Sequence, residues 1–198
     1  MRKLSKELLE QIESSIRDCG FVRCREGVFL RASAKSVFQA VVVRVIEKKF
    51  VPVAFEVYCA IIWEEVEKLC SLGWGLKYAR GTSFTVAKFL NPNDMITFDE
   101  KTDPEENLRT IIKLIRDEEG GFFSRTIDRK DIEAILESQL SEGGGYPERL
   151  IAIAFVMEGE LRAKKRMIEL LSGGLPEFTR QRVERFWARI TCKSEYLD

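Results

Sequence analysis

The apolar residues of this chain change period twice, and that constrains the fold more than any other feature of the sequence. Over residues 3–18, Leu4, Leu8, Ile12 and Ile16 recur at every fourth position, and Leu9 and Cys19 widen the stripe. That is the pattern of an amphipathic helix. Gly20 follows as a stop, at a position where a left-handed backbone costs least. The period then falls to two. Residues 21–24 and 28–31 flank Glu26-Gly27, a hairpin turn signal. A long strand is predicted over 37–47, with Val37, Val41, Val43 and Val45 on one face and Phe38, Ala40, Val42, Arg44 and Ile46 on the other. A second is predicted over 51–61, with Val51, Val53, Phe55, Val57, Cys59 and Ile61 sharing a face. The break between them is short, which favours antiparallel neighbours. Arg44 and Glu56 read as a cross-strand pair.

A short helix is predicted over 63–69, burying Val66 and Leu69, with Glu64, Glu65 and Glu67 around Lys68 as its solvated face. Residues 71–81 are irregular, with three glycines among aromatic and basic residues. Strand character returns over 84–90. Asn91-Pro92-Asn93-Asp94 is a turn signal, and 95–98 then reads as the second arm of a hairpin. From Asp103 the period becomes helical again. Asp103 is an N-cap, Pro104 occupies the first helical position and Glu106 stands three residues after the cap. Leu108, Ile111, Ile112 and Ile115 form the stripe of that helix. Four more helices are expected: one capped by Asp128 and carrying Ile132, Ile135 and Leu136; one opened by Pro147 and carrying Leu150, Ile151, Ala154 and Phe155; one after Gly159 carrying Leu161, Met167, Leu170 and Leu171; and one opened by Pro176 and carrying Val183, Phe186, Trp187 and Ile190.

Helix, antiparallel strands, then helices is an α+β order, not the alternation of a parallel sheet. The expected architecture is an N-terminal helix, an antiparallel sheet of about five to six strands and a C-terminal bundle of about four helices. Gly143-Gly144-Gly145 reads as a linker, which divides the chain into an α+β domain over 1–142 and a helical subdomain over 143–198 packed on it, or leaves one single domain over 1–198.

A few stretches resemble bacterial domains of unknown function. The helix ending in Cys19-Gly20-Phe21, the hairpin through Gly27 to Phe29 and the strand meander carry the likeness. So do the capped helix at Asp103-Pro104-Glu105 leading to Phe122-Phe123, and the helix pair around Gly159. Val28-Phe29-Leu30-Arg31 stands where those domains have an aromatic strand ending in arginine. The resemblance implies a helix-plus-sheet fold and supplies no activity and no catalytic residue.

Composition enters by what it excludes. The chain has 198 residues, with Lys+Arg 32 balanced by Asp+Glu 32, and no histidine. A neutral chain argues against a dedicated nucleic-acid binder, since phosphate neutralisation needs an excess of cations. Without histidine there is no Ser-His or Cys-His dyad and no imidazole base or ligand. No phosphate-binding glycine loop, dinucleotide fingerprint or nucleophile elbow occurs. The five cysteines, Cys19, Cys24, Cys59, Cys70 and Cys192, follow no paired spacing and read as reduced thiols in a cytoplasmic protein. The start of the chain has no signal-peptide pattern, and the apolar runs are too short and too charged to span a bilayer.

Three clusters remain as candidates. Trp74, Lys77, Tyr78 and Arg80 gather residue types enriched at binding hot spots on an irregular segment. Arg182, Arg185 and Arg189 share one helical face, with Lys164, Lys165 and Arg166 nearby; the alternative is a polar helix side paired with Glu169, Glu177 or Glu184. Asp99, Glu100, Asp103, Glu105 and Glu106 form an acidic junction able to hold a hard cation, although capping already explains Asp103 and Glu106. The expectation is a non-enzymatic protein-interaction module with an unidentified protein partner, in one version an immunity or antitoxin-like partner by analogy. No cofactor, no catalytic residue, no metal and no membrane are expected; nucleic acid is disfavoured and a homodimer stays open. The competing expectations are a divalent-metal hydrolase or nuclease around residues 99–106, and a weak nucleic-acid binder through the basic C-terminal helix.

Overall fold

The computed structural model describes residues 2–46, 53–90, 96–98, 103–125 and 128–193. The architecture is α+β, as the change of period predicts. An N-terminal helix precedes an antiparallel sheet, and helices follow. The chain divides into two compact units, residues 1–62 with 86–128, and residues 63–85 with 129–198.

The first unit holds the sheet. Helix α1 (Arg2–Ile16) buries Leu8, Leu9, Ile12 and Ile16 and runs into a 3₁₀ turn, Arg17–Cys19. Gly20 closes that turn at φ 83°, its N–H donating to the Arg17 carbonyl at 2.8 Å. Strands β1 (Val22–Arg25), β2 (Val28–Ala34), β3 (Val37–Ile46), β4 (Val53–Trp63) and β5 (Val86–Phe89) lie side by side in chain order. Gly27, between β1 and β2, has φ 68°, and a Cβ there would sit 2.3 Å from the Val43 carbonyl oxygen. The Val43 N–H donates to the Gly27 carbonyl at 2.7 Å, so the turn is pinned to β3 and only glycine fits. Arg44 and Glu56 face each other at 3.4 Å, the expected cross-strand pair.

Strand β6 (Ile96–Phe98) departs from the expected hairpin. Val86 to Phe89 pair antiparallel with Ile61 to Tyr58, and Ile96 to Phe98 pair antiparallel with Phe55 to Val53. Both strands therefore lie in line along the same edge of β4. The turn signal at 91–94 lies outside the described residues. Periodicity identifies a strand; it does not say which neighbour completes its hydrogen bonds.

Helix α3 (Pro104–Asp117) begins as predicted, the Asp103 carboxylate accepting from the Glu105 N–H at 2.9 Å, and it buries Ile111 and Ile115. The short α4 (Phe122–Arg125) delivers Phe122 and Phe123 to the core. Phe21, Phe29, Phe55 and Phe123 are fully buried side chains of this unit, each stabilising by about 2–3 kcal/mol relative to exposure.

The second unit is helical. Helix α2 (Glu64–Trp74) runs five residues past its predicted end. Gly73 sits inside it because the Phe186 ring occupies the place of a side chain: a Cβ would stand 2.1 Å from that ring. Gly75, at φ 72°, ends the helix; its N–H and that of Leu76 donate to the Leu72 and Ser71 carbonyls at 3.0 and 2.7 Å. The remaining helices are α5 (Arg129–Ser141), α6 (Pro147–Glu158), α7 (Glu160–Ser172) and α8 (Glu177–Lys193). Leu150 to Ala154 of α6 are all buried, so this stretch of the helix is covered on every side. Helix α7 differs from expectation. It buries Ala163, while Leu161 is 84% exposed.

Candidate functional site

The irregular segment singled out in the sequence does not act as one loop. Trp74 is the last residue of α2, and its ring lies 5.6 Å from that of Tyr146, centroid to centroid, at an interplanar angle of 57°. Tyr146 stands immediately before Pro147, at the start of α6, and is 47% exposed. The Arg149 guanidinium lies 5.5 Å from the Trp74 ring centre and 4.9 Å from that of Tyr146. Arg182, from α8, lies 5.2 Å from the Tyr146 ring centre. Three helices thus assemble a shelf of two aromatic rings and two guanidinium groups.

Two buried carboxylates hold the shelf. Arg149 Nε donates to Glu67 Oε1 at 3.3 Å. Arg182 grips Glu148 with two of its guanidinium nitrogens, Nε on Oε1 and Nη2 on Oε2, the latter at 3.2 Å. Glu67 and Glu148 are fully buried. A buried carboxylate without a partner is expensive, so each arginine is fixed in place by the glutamate it neutralises. Glu67 Oε2 accepts no hydrogen bond from any described group. The reading of Glu64, Glu65 and Glu67 as a solvated face is corrected here for Glu67: it shares the buried side of α2 with Val66 and Cys70. Burial, followed by the neighbouring Glu67, pushes the Cys70 thiol well above its ordinary range, so it carries no thiolate at neutral pH.

Tyr78 and Arg80 form a separate knot. Arg80 Nε and Nη2 donate to Glu64 Oε1 at 3.0 and 2.7 Å, and the Tyr78 hydroxyl donates to the same oxygen at 3.3 Å. The Arg80 hydrogen bonds hold the Glu64 carboxyl below its ordinary range. Burial, then the Glu64 charge, pushes Tyr78 up to about 12. Lys77 is exposed.

The three C-terminal arginines diverge. Arg182 turns inward to Glu148, and Arg189 Nη1 donates to the Gly73 carbonyl at 3.3 Å, where a cation suits a helix C-terminus. Arg185 stays exposed and donates to its own helix at the Gln181 carbonyl, 3.2 Å away. Trp74 and Arg182, read in the sequence as members of different clusters, meet at the Tyr146 ring. Tyr146, Arg149 and Glu148 carry no expectation from the sequence, and Glu67 carries only that of a solvated face. Their one local signal is the aromatic residue set directly before a helix-opening proline.

Of the acidic junction, Asp99 and Glu100 lie outside the described residues. Asp103 caps α3, and Glu105 faces Arg109 at 3.3 Å. Among the described residues no group of three or more His, Cys, Asp or Glu side chains is arranged to hold a metal ion. A cleft of about 320 Å³ between α5, α6 and α7 is lined by Arg129, Glu133, Glu137, Glu158, Arg162 and Arg166. Its charges pair within it, Arg129 with Glu133 at 3.2 Å and with Glu158, and Arg166 with Glu137. Among the described residues no helix is long and apolar enough to cross a membrane. Comparison with family models, curated proteins and solved structures finds no match.

Proposed function

We propose that this chain is a protein-interaction module and that the Trp74–Tyr146–Arg149–Arg182 shelf is its contact surface. The observation that carries this reading is the anchoring of both guanidinium groups on fully buried carboxylates, beneath an aromatic ring that is half open to solvent. Such a surface loses little side-chain freedom when a partner covers it, and aromatic and arginine side chains dominate binding energy at interfaces. Leu76 and Lys77, exposed and two and three residues after Trp74 in the chain, offer one apolar and one charged side chain to the same partner. A partner with an apolar prominence bordered by carboxylates fits this chemistry. An immunity or antitoxin-like role is the specific version, by analogy with other small domains that act through contact alone. The five cysteines are free, which supports a reducing compartment such as the cytoplasm.

The test uses a photo-crosslinking amino acid in place of Leu76, in the native host. We expect one dominant adduct, lost when Tyr146→Ala and Trp74→Ala are combined and kept in Phe178→Ala, a control on an exposed residue of α8. An adduct that survives the double substitution, with the variant folded by circular dichroism, overturns the assignment.

A further inference from the structure

Helix α7 presents Leu161, Lys164, Lys165 and Ile168 to solvent, all within about 100° of arc on one side. Its buried side is centred on Ala163. Leu161 is 84% and Ile168 52% exposed. The neighbouring arginines are engaged: Arg162 with Glu158 at 3.1 Å, and Arg166 with Glu137 and with Glu169 at 3.5 Å. Lys164 and Lys165 meet no carboxylate among the described residues. The face is therefore two apolar side chains seven residues apart, with two cations between them that make no ion pair among the described residues, Glu160 and Glu169 standing four residues away at its margins.

We propose that this face docks an acidic amphipathic helix of another protein. That helix sets apolar residues, spaced seven apart, over Leu161 and Ile168 and places carboxylates against Lys164 and Lys165. Helix against helix is the geometry that such spacing serves. Charge decides between occupants. A second copy packed antiparallel about the midpoint of the stripe sets Leu161 against Ile168 but also Lys164 against Lys165; a parallel copy sets each lysine against itself. Both place like charges at the centre of the contact. An anionic membrane meets exposed Glu160 and Glu169 at the margins of the face, and no aromatic side chain lies on it. An acidic helix alone satisfies both the lysines and the apolar pair. This surface does not depend on the shelf.

The probe is a labelled helical peptide of about eighteen residues, carrying two leucines seven apart with two glutamates between them, titrated into the full chain by fluorescence anisotropy. We expect saturable binding that weakens steeply between about 50 and 300 mM salt. It should be at least about tenfold weaker in Lys164→Glu/Lys165→Glu and in Leu161→Ser/Ile168→Ser, absent for the same peptide with lysines in place of glutamates, and unchanged in Tyr146→Ala. These substitutions are at exposed positions, and circular dichroism checks that the helices persist. Failure to saturate, or equal binding of the lysine peptide, overturns the proposal. So does a dimer in sedimentation velocity that Leu161→Ser/Ile168→Ser dissociates, which makes the occupant a second copy. Retention of the wild type, but not Lys164→Glu/Lys165→Glu, on phosphatidylglycerol vesicles overturns it in favour of a membrane.

Discussion

Arg31 joins four separate segments of the first unit. Its guanidinium donates to Gln39 Oε1 at 2.6 Å, to the Cys19 carbonyl at 2.8 Å and to Glu119 Oε2 at 2.6 Å, and it lies 4.5 Å from the Phe21 ring centre. Gln39 passes the connection on, Nε2 donating to the Phe123 carbonyl at 2.8 Å. Its charged hydrogen bonds are only partly open to water, so Arg31→Ala should cost about 2–3 kcal/mol in urea unfolding. Arg31→Lys should recover only a minor part, because a point charge cannot serve three acceptors at fixed angles. The pair of buried Glu148 and part-exposed Arg182 makes the opposite prediction. Arg182→Ala strands a buried carboxylate and should cost about 3 kcal/mol, whereas replacing both residues by leucine should bring stability back to within about 1 kcal/mol of the wild type. Glu64 adds a pH dependence. Its folded-state carboxyl titrates below the ordinary glutamate range, so the Arg80 contact contributes fully above that range and is lost as the pH falls through the lowered value. Arg80→Gln should therefore flatten the acid limb of the stability profile and return the Glu64 carboxyl, followed by NMR, toward its ordinary pKa. Such partnerships are poorly legible in sequence. Arg44 with Glu56 was readable because a short break between two strands fixes the register. Glu67 with Arg149 was not, because 82 residues separate them.

At the scale of elements, periodicity carried most of the reading. The helical stretches predicted around Leu8, Ile111, Ile132, Leu150 and Val183 form and bury those residues. The capping signals at Asp103 and Pro147 mark helix starts because they are chemical, not statistical: a carboxylate accepts an orphan N–H, and proline lacks one. Errors fell where a neighbour overrides the local pattern. Gly73 looks like a helix breaker, yet α2 continues through it because Phe186 needs the space. Gly73→Ala should cost about 1–3 kcal/mol by crowding that ring, and Phe186→Leu in the same chain should return part of it; thermal denaturation of the two variants decides. Leu161 looks like a core residue by spacing, yet Ala163 packs in its place, and Arg162 and Arg166 beside it pair with Glu158 and Glu137.

For the whole molecule, the α+β class followed from the order of periods, but the grouping of elements did not. Helix α2 lies between two strands in sequence and packs with α6 and α8 in space. A fragment spanning 143–198 lacks the Gly73 surface against which Phe186 packs. It should show markedly reduced ellipticity per residue and no cooperative melt by circular dichroism; a sharp transition in that fragment would show that α6 to α8 need no help from α2.

The second unit is assembled from two stretches of chain, and this sets a timetable for synthesis. Arg189 follows Gly73 by 116 residues. At ~5–20 residues per second, α2 leaves the ribosome roughly 6 to 23 seconds before its partner helix. For roughly the first 4 to 16 seconds of that interval, before Arg149 of α6 follows 82 residues after Glu67, Val66, Leu69 and Cys70 have neither α6 nor α8 to cover them, and the acidic side chain of Glu67 among them lowers the tendency of that exposed strip to self-associate in the nascent polypeptide.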